Sequence, residues 1–344
     1  MYTSNSIFNM EAGAGNLTME PVHLNQSSLS NLNQIVSSWI IIFEVFIGSL
    51  ANGFMVIASL MDFASRKKFG ASESILICLG LSRFAFLWTL FFMFLMSTFL
   101  NSLIDKYLDV LMYVFLFLNN ASLWYATWLC MFYCVRIVNI SNCVFVVFKK
   151  NFDRCLPVLL LGSLALSVGL SLLLLCNSIT NVDLTASTGS RPLGMSSKST
   201  SRFLIISFIG SIPPFLVFCI AAWLVVDSLR KHTRMMKEQE RTSFKEPSLE
   251  AHYGALKSVG HFFFFYVLYI ISFSLYQSGI ASPNSIGGSI CTVLIGSYPS
   301  VHSILLLLQN NKLQQSLMSF FQKISCHQHA KVKKAESTST CNTT

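Results

Sequence analysis

Ionisable side chains are scarce in the apolar stretches of this sequence, and the few that occur there are the candidates for chemistry. Glu44, Gly48 and Asn52 recur at four-residue spacing, which on a helix places them on one face. Arg83 lies in a second apolar run and Ser303 in the last. An ionisable group inside hydrocarbon is costly and by default marks a functional position. At 1.5 Å per residue, Arg83 sits roughly 13 Å from the end of its helix, level with Asn52 and slightly deeper than Ser303. Glu44, a turn or two further along, is the carboxylate that can balance Arg83 through water. A polar cluster of Glu44, Asn52, Arg83, His302 and Ser303 is therefore expected, either pinning helices 1, 2 and 7 or rearranging between states. His302 and Ser303 do not make a catalytic pair. Neighbours on a helix point about 100° apart and cannot serve as nucleophile and base, and no other convergent catalytic set is visible, so enzymatic activity is not expected.

Aromatic residues supply a different chemistry. Trp124 and Trp128 stand one helical turn apart, and Tyr266 and Tyr269 follow the run Phe262 to Phe265. Such rings offer large apolar faces with polar tips, which suits bulky, poorly soluble organic molecules and cationic alkaloids. Trp124, Trp128, Tyr266, Tyr269 and, on helix 7, Thr292 are the candidate ligand contacts. The four consecutive Phe are expected mostly to face lipid. No acidic residue lines this region, so strong selectivity for cations is not expected. The ten Cys show no CxxC spacing, which provides neither a zinc site nor a disulfide framework. Cys78, Cys130 and Cys219 lie in apolar runs as packing residues, and no cofactor or metal is implied.

The elements that carry these residues are set by composition. Hydrophobic residues make up 53% of 344 positions and charged residues 11%, with 30 Phe; a soluble domain carries about 25% charged residues. Most of the outside must therefore face lipid. A membrane helix needs about 20 apolar residues, and suitable runs lie at 35–61, 74–100, 107–140, 155–178, 203–229, 257–280 and 286–309. The fold expected is an all-α membrane protein, a seven-helix bundle over 35–309. A disordered head (1–34) precedes it and a tail (310–344) follows. The segment 179–202, rich in Ser, Thr, Gly and Asn, and the charged segment 230–256 read as loops.

Positive charge sets the orientation. Residues 1–34 contain no Lys or Arg. Arg66, Lys67 and Lys68, then Arg136, Lys149, Lys150 and Arg154, fall in alternate connections. So do Arg230, Lys231, Arg234, Lys237, Arg241, Lys245 and Lys257, with Lys312, Lys323, Lys331, Lys333 and Lys334 in the tail. The head is then extracellular and the tail cytosolic, as in a multi-pass plasma-membrane protein. The net charge of +9 reads as attraction to an anionic leaflet rather than to nucleic acid. No cleaved signal peptide is apparent, so the first helix serves for insertion. Asn16 and Asn25 open glycosylation sequons on the outer side. Asn120, Asn139 and Asn342 open others, in a span or on the inner side, and are expected to stay unmodified. Leu313, Leu317, Phe320, Phe321 and Ile324 share one side of a short amphipathic helix near 312–325, lying on the inner leaflet. Cys326 at its end is a candidate palmitoylation site.

The motifs on these helices resemble the type 2 (bitter) taste receptors. Helix 7 closes with Tyr298-Pro-Ser-Val-His302-Ser303 and runs into Asn310-Asn-Lys312-Leu313. Helix 1 carries Glu44, Gly48 and Asn52, and helix 2 Ser82-Arg83. Helix 3 has Trp124, Leu129, Phe132-Tyr133 and Arg136-Ile137, where the family usually has Lys for Arg136. Helix 5 has Ser211, Pro214-Phe215, Ser228-Leu229, His232 and Met235. The entry to helix 6 is Glu246-Pro247-Ser248, Ala251-His252, Ala255 and Lys257, where the family usually begins with Asp. The resemblance spans about 44 to 313. It implies a G-protein-coupled receptor for bitter small molecules that activates a gustducin-type heterotrimeric G protein. It also implies that Trp124 is a principal ligand-stacking residue and that Arg136, His232, Met235, His252 and Lys257 lie where the G protein docks. Helices 5, 6 and 7, bent at Pro213-Pro214 and Pro299, are expected to move. The sequence departs from the family in its longer head and in lacking a sequon in 179–202. A vomeronasal or rhodopsin-like receptor is the alternative of the same fold, but the Asp-Arg-Tyr and Asn-Pro-x-x-Tyr signatures of the rhodopsin-like class are absent. A secondary transporter would show paired broken helices in two repeats, and no internal symmetry is visible.

Overall fold

In a computed structural model the chain forms α1 (Gln26–Arg66), α2 (Ala71–Phe99), α3 (Ile104–Ile137), α4 (Cys143–Ala186), α5 (Ser197–Gln239), α6 (Pro247–Gln277) and α7 (Ile286–Gln309). A short α8 covers 312–319. The structure describes residues 26–66, 70–99, 104–138, 143–186, 197–239, 247–281, 285–310, 312–319 and 322, and none of these is in a strand. Each of the seven long helices contains a stretch apolar and long enough to cross a bilayer. The seven-helix bundle with a short helix after the last is as the sequence implies.

Helix ends differ from the hydropathy boundaries because hydropathy marks the bilayer and not the end of hydrogen bonding. α1 begins at Gln26, ahead of residue 35. α5 continues through Lys231 to Gln239, a polar stretch of good helix formers such as Met, Lys and Glu. The segments expected as loops at 179–202 and 230–256 are thus helical at both ends, and only 187–196 and 240–246 remain outside the described residues. α4 starts at Cys143, not near 155. Its first turns are anchored by buried Phe152 and by two contacts to α3: Arg136 pairs with Asp153 at 3.0 Å, and Lys149 Nζ donates to the Val138 carbonyl at 2.9 Å. Asn310 both ends α7 and starts α8. Its N–H donates to Leu306 O, while its side-chain oxygen accepts from the N–H groups of Lys312 and Leu313 at 3.1 and 3.4 Å, the usual use of Asn as a cap.

α3 runs through the middle, packed on α2, α4 and α5; α1 lies between α2 and α7, and α6 against α7. Leu79, Leu116, Leu123, Phe218 and Val225 are fully enclosed. Trp39, Phe43 and Phe46 of α1, Val158 and Leu161 of α4 and Trp223 of α5 point outward, an apolar exterior suited to lipid. Gly48 allows the closest helix approach, since a Cβ there would strike the side chains of Ser300 on α7 and Leu87 on α2. The Phe run divides. Phe263 and Phe264 are exposed as expected, but Phe262 is buried, because consecutive helical residues sweep around the axis and 262 shares the inward face with 266 and 269.

Candidate functional site

Arg83 is fully enclosed between α2, α3 and α7. Its guanidinium donates to three hydroxyls: Nη1 to Ser303 at 3.0 Å, Nη2 to Tyr298 at 3.3 Å and Nε to Ser122 at 3.4 Å. The Tyr298 ring also lies 5.2 Å from the guanidinium carbon. Ser303 passes the network on, donating to Asn52 Oδ1 at 2.8 Å, and Asn52 Nδ2 donates to the Gly48 carbonyl at 2.8 Å. Asn52, Arg83 and Ser303 therefore meet as the sequence predicts. A buried charge is tolerated only when its donors are satisfied, and here neutral oxygens do so; among the described residues no carboxylate forms an ion pair with Arg83.

Glu44 and His302 stand apart from that network. Glu44 Oε1 accepts from Ser297 Oγ at 2.6 Å, and its backbone carbonyl accepts from Ser300 Oγ at 3.1 Å. Its Oε2 is turned to Gly296, where a Cβ would come within 2.7 Å. The carboxylate thus fastens α1 to α7, one layer from Arg83. His302 faces α6, its ring 4.9 Å from Phe262 and parallel to Tyr298 at 6.5 Å, with a buried Nδ1 that has no protein partner. It lines a small cavity with Cys130, Tyr133, Phe218 and Leu306.

The aromatic candidates fall into two groups. Trp124 and Trp128 stack on each other at 5.6 Å, and Trp128 Nε1 donates to Ser163 Oγ of α4 at 2.8 Å. Tyr266 and Tyr269 stack at 6.4 Å inside a second aromatic column with Phe262, Phe273 and Tyr298. Tyr266 donates to the Ser211 carbonyl at 2.7 Å, close to the carbonyls of Ile209 and Gly210 that Pro213 and Pro214 leave without intrahelical donors. Thr127 donates to the Pro214 carbonyl at 3.1 Å. Thr292 lies beside Tyr276, between the ends of α6 and α7, and donates to the Gly288 carbonyl.

Between these groups the structure assembles a polar layer that hydropathy does not single out. Both amide atoms of Asn120, the Asn119 Oδ1, the Ser207 hydroxyl, the Tyr269 hydroxyl and the Trp124 indole N–H are buried, and none closes a hydrogen bond of ordinary geometry within the protein. Asn120 lies against Gly210, where a Cβ would come within 2.5 Å of its amide. Tyr269 stands beside Asn119. Ser207, Phe208, Ser211, Tyr269, Ile270 and Phe273 line a narrow cleft between α5 and α6. Two adjacent Asn in the middle of an apolar helix were the available signal.

At the opposite, basic end, Arg136 pairs with Asp153 and lies over the Phe132 ring at 5.2 Å. Lys257 is exposed. His232 and Met235 lie on α5 and His252 on α6, with side chains outside the described part of the structure. Asn16, Asn25 and Cys326 also fall outside it. Lys312 at the start of α8 is bound by both Asp62 and Glu73. Burial alone would pull its ammonium down, but hydrogen bonds and charge from these two carboxylates outweigh it and hold Lys312 above the ordinary lysine value. Among the described residues, no group of three or more His, Cys, Asp or Glu converges at metal-ligand geometry.

The family model for taste receptor protein (TAS2R) matches residues 29–325, which takes in all seven helices and α8. This chain belongs to the type 2 taste receptor family. Human taste receptor type 2 member 39 is 29% identical over 288 residues, 80% of this chain and 83% of that protein. Human member 2 is 30% identical over 288 residues, covering 82% and 93% of the two chains. Member 14 of Macaca mulatta is 31% identical over 293 residues, 83% and 90%. The receptor is thus a multi-pass membrane protein of the bitter-taste, G-protein-coupled class, and its relatives are receptors rather than enzymes.

Proposed function

We propose that this taste receptor binds bulky bitter molecules between α3, α5 and α6, in the half of the bundle away from the basic end. The observation carrying this reading is the layer of buried polar atoms on Asn119, Asn120, Trp124, Ser207 and Tyr269 that close no hydrogen bond of ordinary geometry within the protein. Leaving a buried polar group unpaired costs about 1–3 kcal/mol, so a layer of them calls for a partner from outside the chain. The aromatic walls supply apolar contact, with Trp124, backed by Trp128, as the stacking platform, and Tyr266, Tyr269 and Thr292 on the facing helices. The cleft is far smaller than the roughly 300–1,000 Å³ of a drug-sized site. A ligand must therefore part α5 from α6, and the bends at Pro213, Pro214 and Pro299 allow it.

Displacement of α6 at the basic end then opens a site for a gustducin-type G protein, bordered by Arg136, His232, Met235, His252 and Lys257. In this reading the amino terminus lies outside the plasma membrane, with glycans on Asn16 and Asn25. The basic end and tail lie in the cytosol, with Cys326 acylated beside the leaflet. The Asn52, Arg83 and Ser303 network and the Glu44 contacts hold α1, α2 and α7 together, while α6 swings away from His302. The test is coexpression with a promiscuous G protein and a panel of bitter compounds, reading cytosolic calcium. A concentration-dependent response to at least one compound is expected, and silence from protein confirmed at the surface contradicts the proposal.

A further inference from the structure

Three elements meet at the Lys312 ammonium: the end of α1 through Asp62, the start of α2 through Glu73, and the first residue of α8. The two carboxylates are only 28% and 14% exposed, and Lys312 is 39% exposed. The Glu73 carboxylate lies over Gly70, where any Cβ would strike it. The lysine is a counter-charge shared by two partly shielded carboxylates, and its loss disfavours this packing. Asn310 aims the lysine by capping α8 at Lys312 and Leu313, and Leu313 is buried in the main core. On its other side the end of α7 meets α6 through a hydrogen bond between Gln309 and His261 at 3.2 Å.

We propose that Lys312, gripped by Asp62 and Glu73, is a latch that fixes α8 and the end of α7 to the turn between α1 and α2. The grip on the α1–α2 side is doubly charged, whereas the side-chain hydrogen bond described between the end of α7 and α6 is that of Gln309 with His261. When the basic end opens, α7 therefore stays with α1 and α2, and the His261–Gln309 contact is where α6 leaves. That last step rests on the receptor reading above; the latch itself does not, and it is tested without ligand or G protein.

The test is amide hydrogen exchange on the full-length receptor in phosphatidylcholine nanodiscs. Lys312→Met is expected to speed exchange across 313–319 by at least about tenfold, with residues 296–308 of α7 little changed. Lys312→Arg should keep the wild-type rate. The exchange pair Glu73→Lys with Lys312→Glu, which preserves two carboxylates around one lysine, should recover most of it. Wild-type protection in Lys312→Met would overturn the latch, because burial of Leu313 and lipid contact would then suffice to hold α8. If Lys312→Met alone cannot be purified folded, the triple variant Asp62→Asn, Glu73→Gln, Lys312→Met removes the confronted charges. Recovery of folding with fast exchange in α8 supports the latch. Recovery with full protection, or no recovery, overturns it.

Discussion

Arg83 shows what a single residue can do in this bundle. Its planar fork reaches three hydroxyls on two other helices, and hydrogen bonds to a charged group contribute about 1.5–3 kcal/mol each. A lysine keeps the buried charge but has a compact ammonium that cannot span the same oxygens. Arg83→Lys is therefore expected to destabilise the purified receptor by about 2 kcal/mol or more, and by more than Arg83→Met, which removes the charge along with its desolvation cost. Thermal unfolding in detergent measures both; a milder effect of Lys than of Met would mean that the charge, not the fork, matters. Arg83, Asn52 and Ser303 were legible in the sequence because a cation and an amide in apolar runs are conspicuous. Ser122 and Tyr298 were not, because serine and tyrosine are ordinary in membrane helices and the contacts lie 39 and 215 residues away. Asn119 and Asn120 were just as visible as Arg83, but carry no charge to mark them as costly.

At the scale of elements, close helix approach is decided by a few small side chains. Gly48 and Gly53 sit on the same helix, but a Cβ at 48 would meet Ser300 and Leu87, whereas one at 53 meets nothing within 4 Å. Gly48→Leu should force α1 away from α7 and α2 and abolish surface delivery, while Gly53→Leu should be delivered normally. Surface staining of both variants checks this, and equal delivery would refute the packing account. The seven helices were readable because each contains an apolar run of membrane length. Their ends were not, because the polar turns of α4 and α5 continue the helix beyond the hydrocarbon. The exchange of Phe262 from the lipid face to the core has the same origin, since composition gives the run and only the rotation about α6 gives the direction.

For the whole molecule, stability and signalling divide along the bundle. α1, α2 and α7 are bound at two levels, by the Arg83 network and at their basic end by Lys312, whereas the side-chain hydrogen bond described there between α6 and α7 is that of His261 with Gln309. The Lys312 grip is present throughout the physiological range. A lysine held above its ordinary value contributes stability that is complete below that value and lost only as pH rises through the raised one. The distribution of Lys and Arg leads us to expect an outside head and an inside tail. Tags at the two termini should be stained on opposite sides when intact and permeabilised cells are compared, and two tags reachable from one side would contradict it.

The central claim is that the buried polar layer on α3, α5 and α6 receives the ligand, and Asn120 tests it most directly. Its amide closes no hydrogen bond within the protein, so Asn120→Ala breaks no hydrogen bond of the fold. With calcium responses measured in cells matched for surface receptor, the variant is expected to raise the half-maximal concentration of an agonist by at least about tenfold, equivalent to about 1.4 kcal/mol, with unfolding temperature unchanged. A superimposable dose curve would contradict the account.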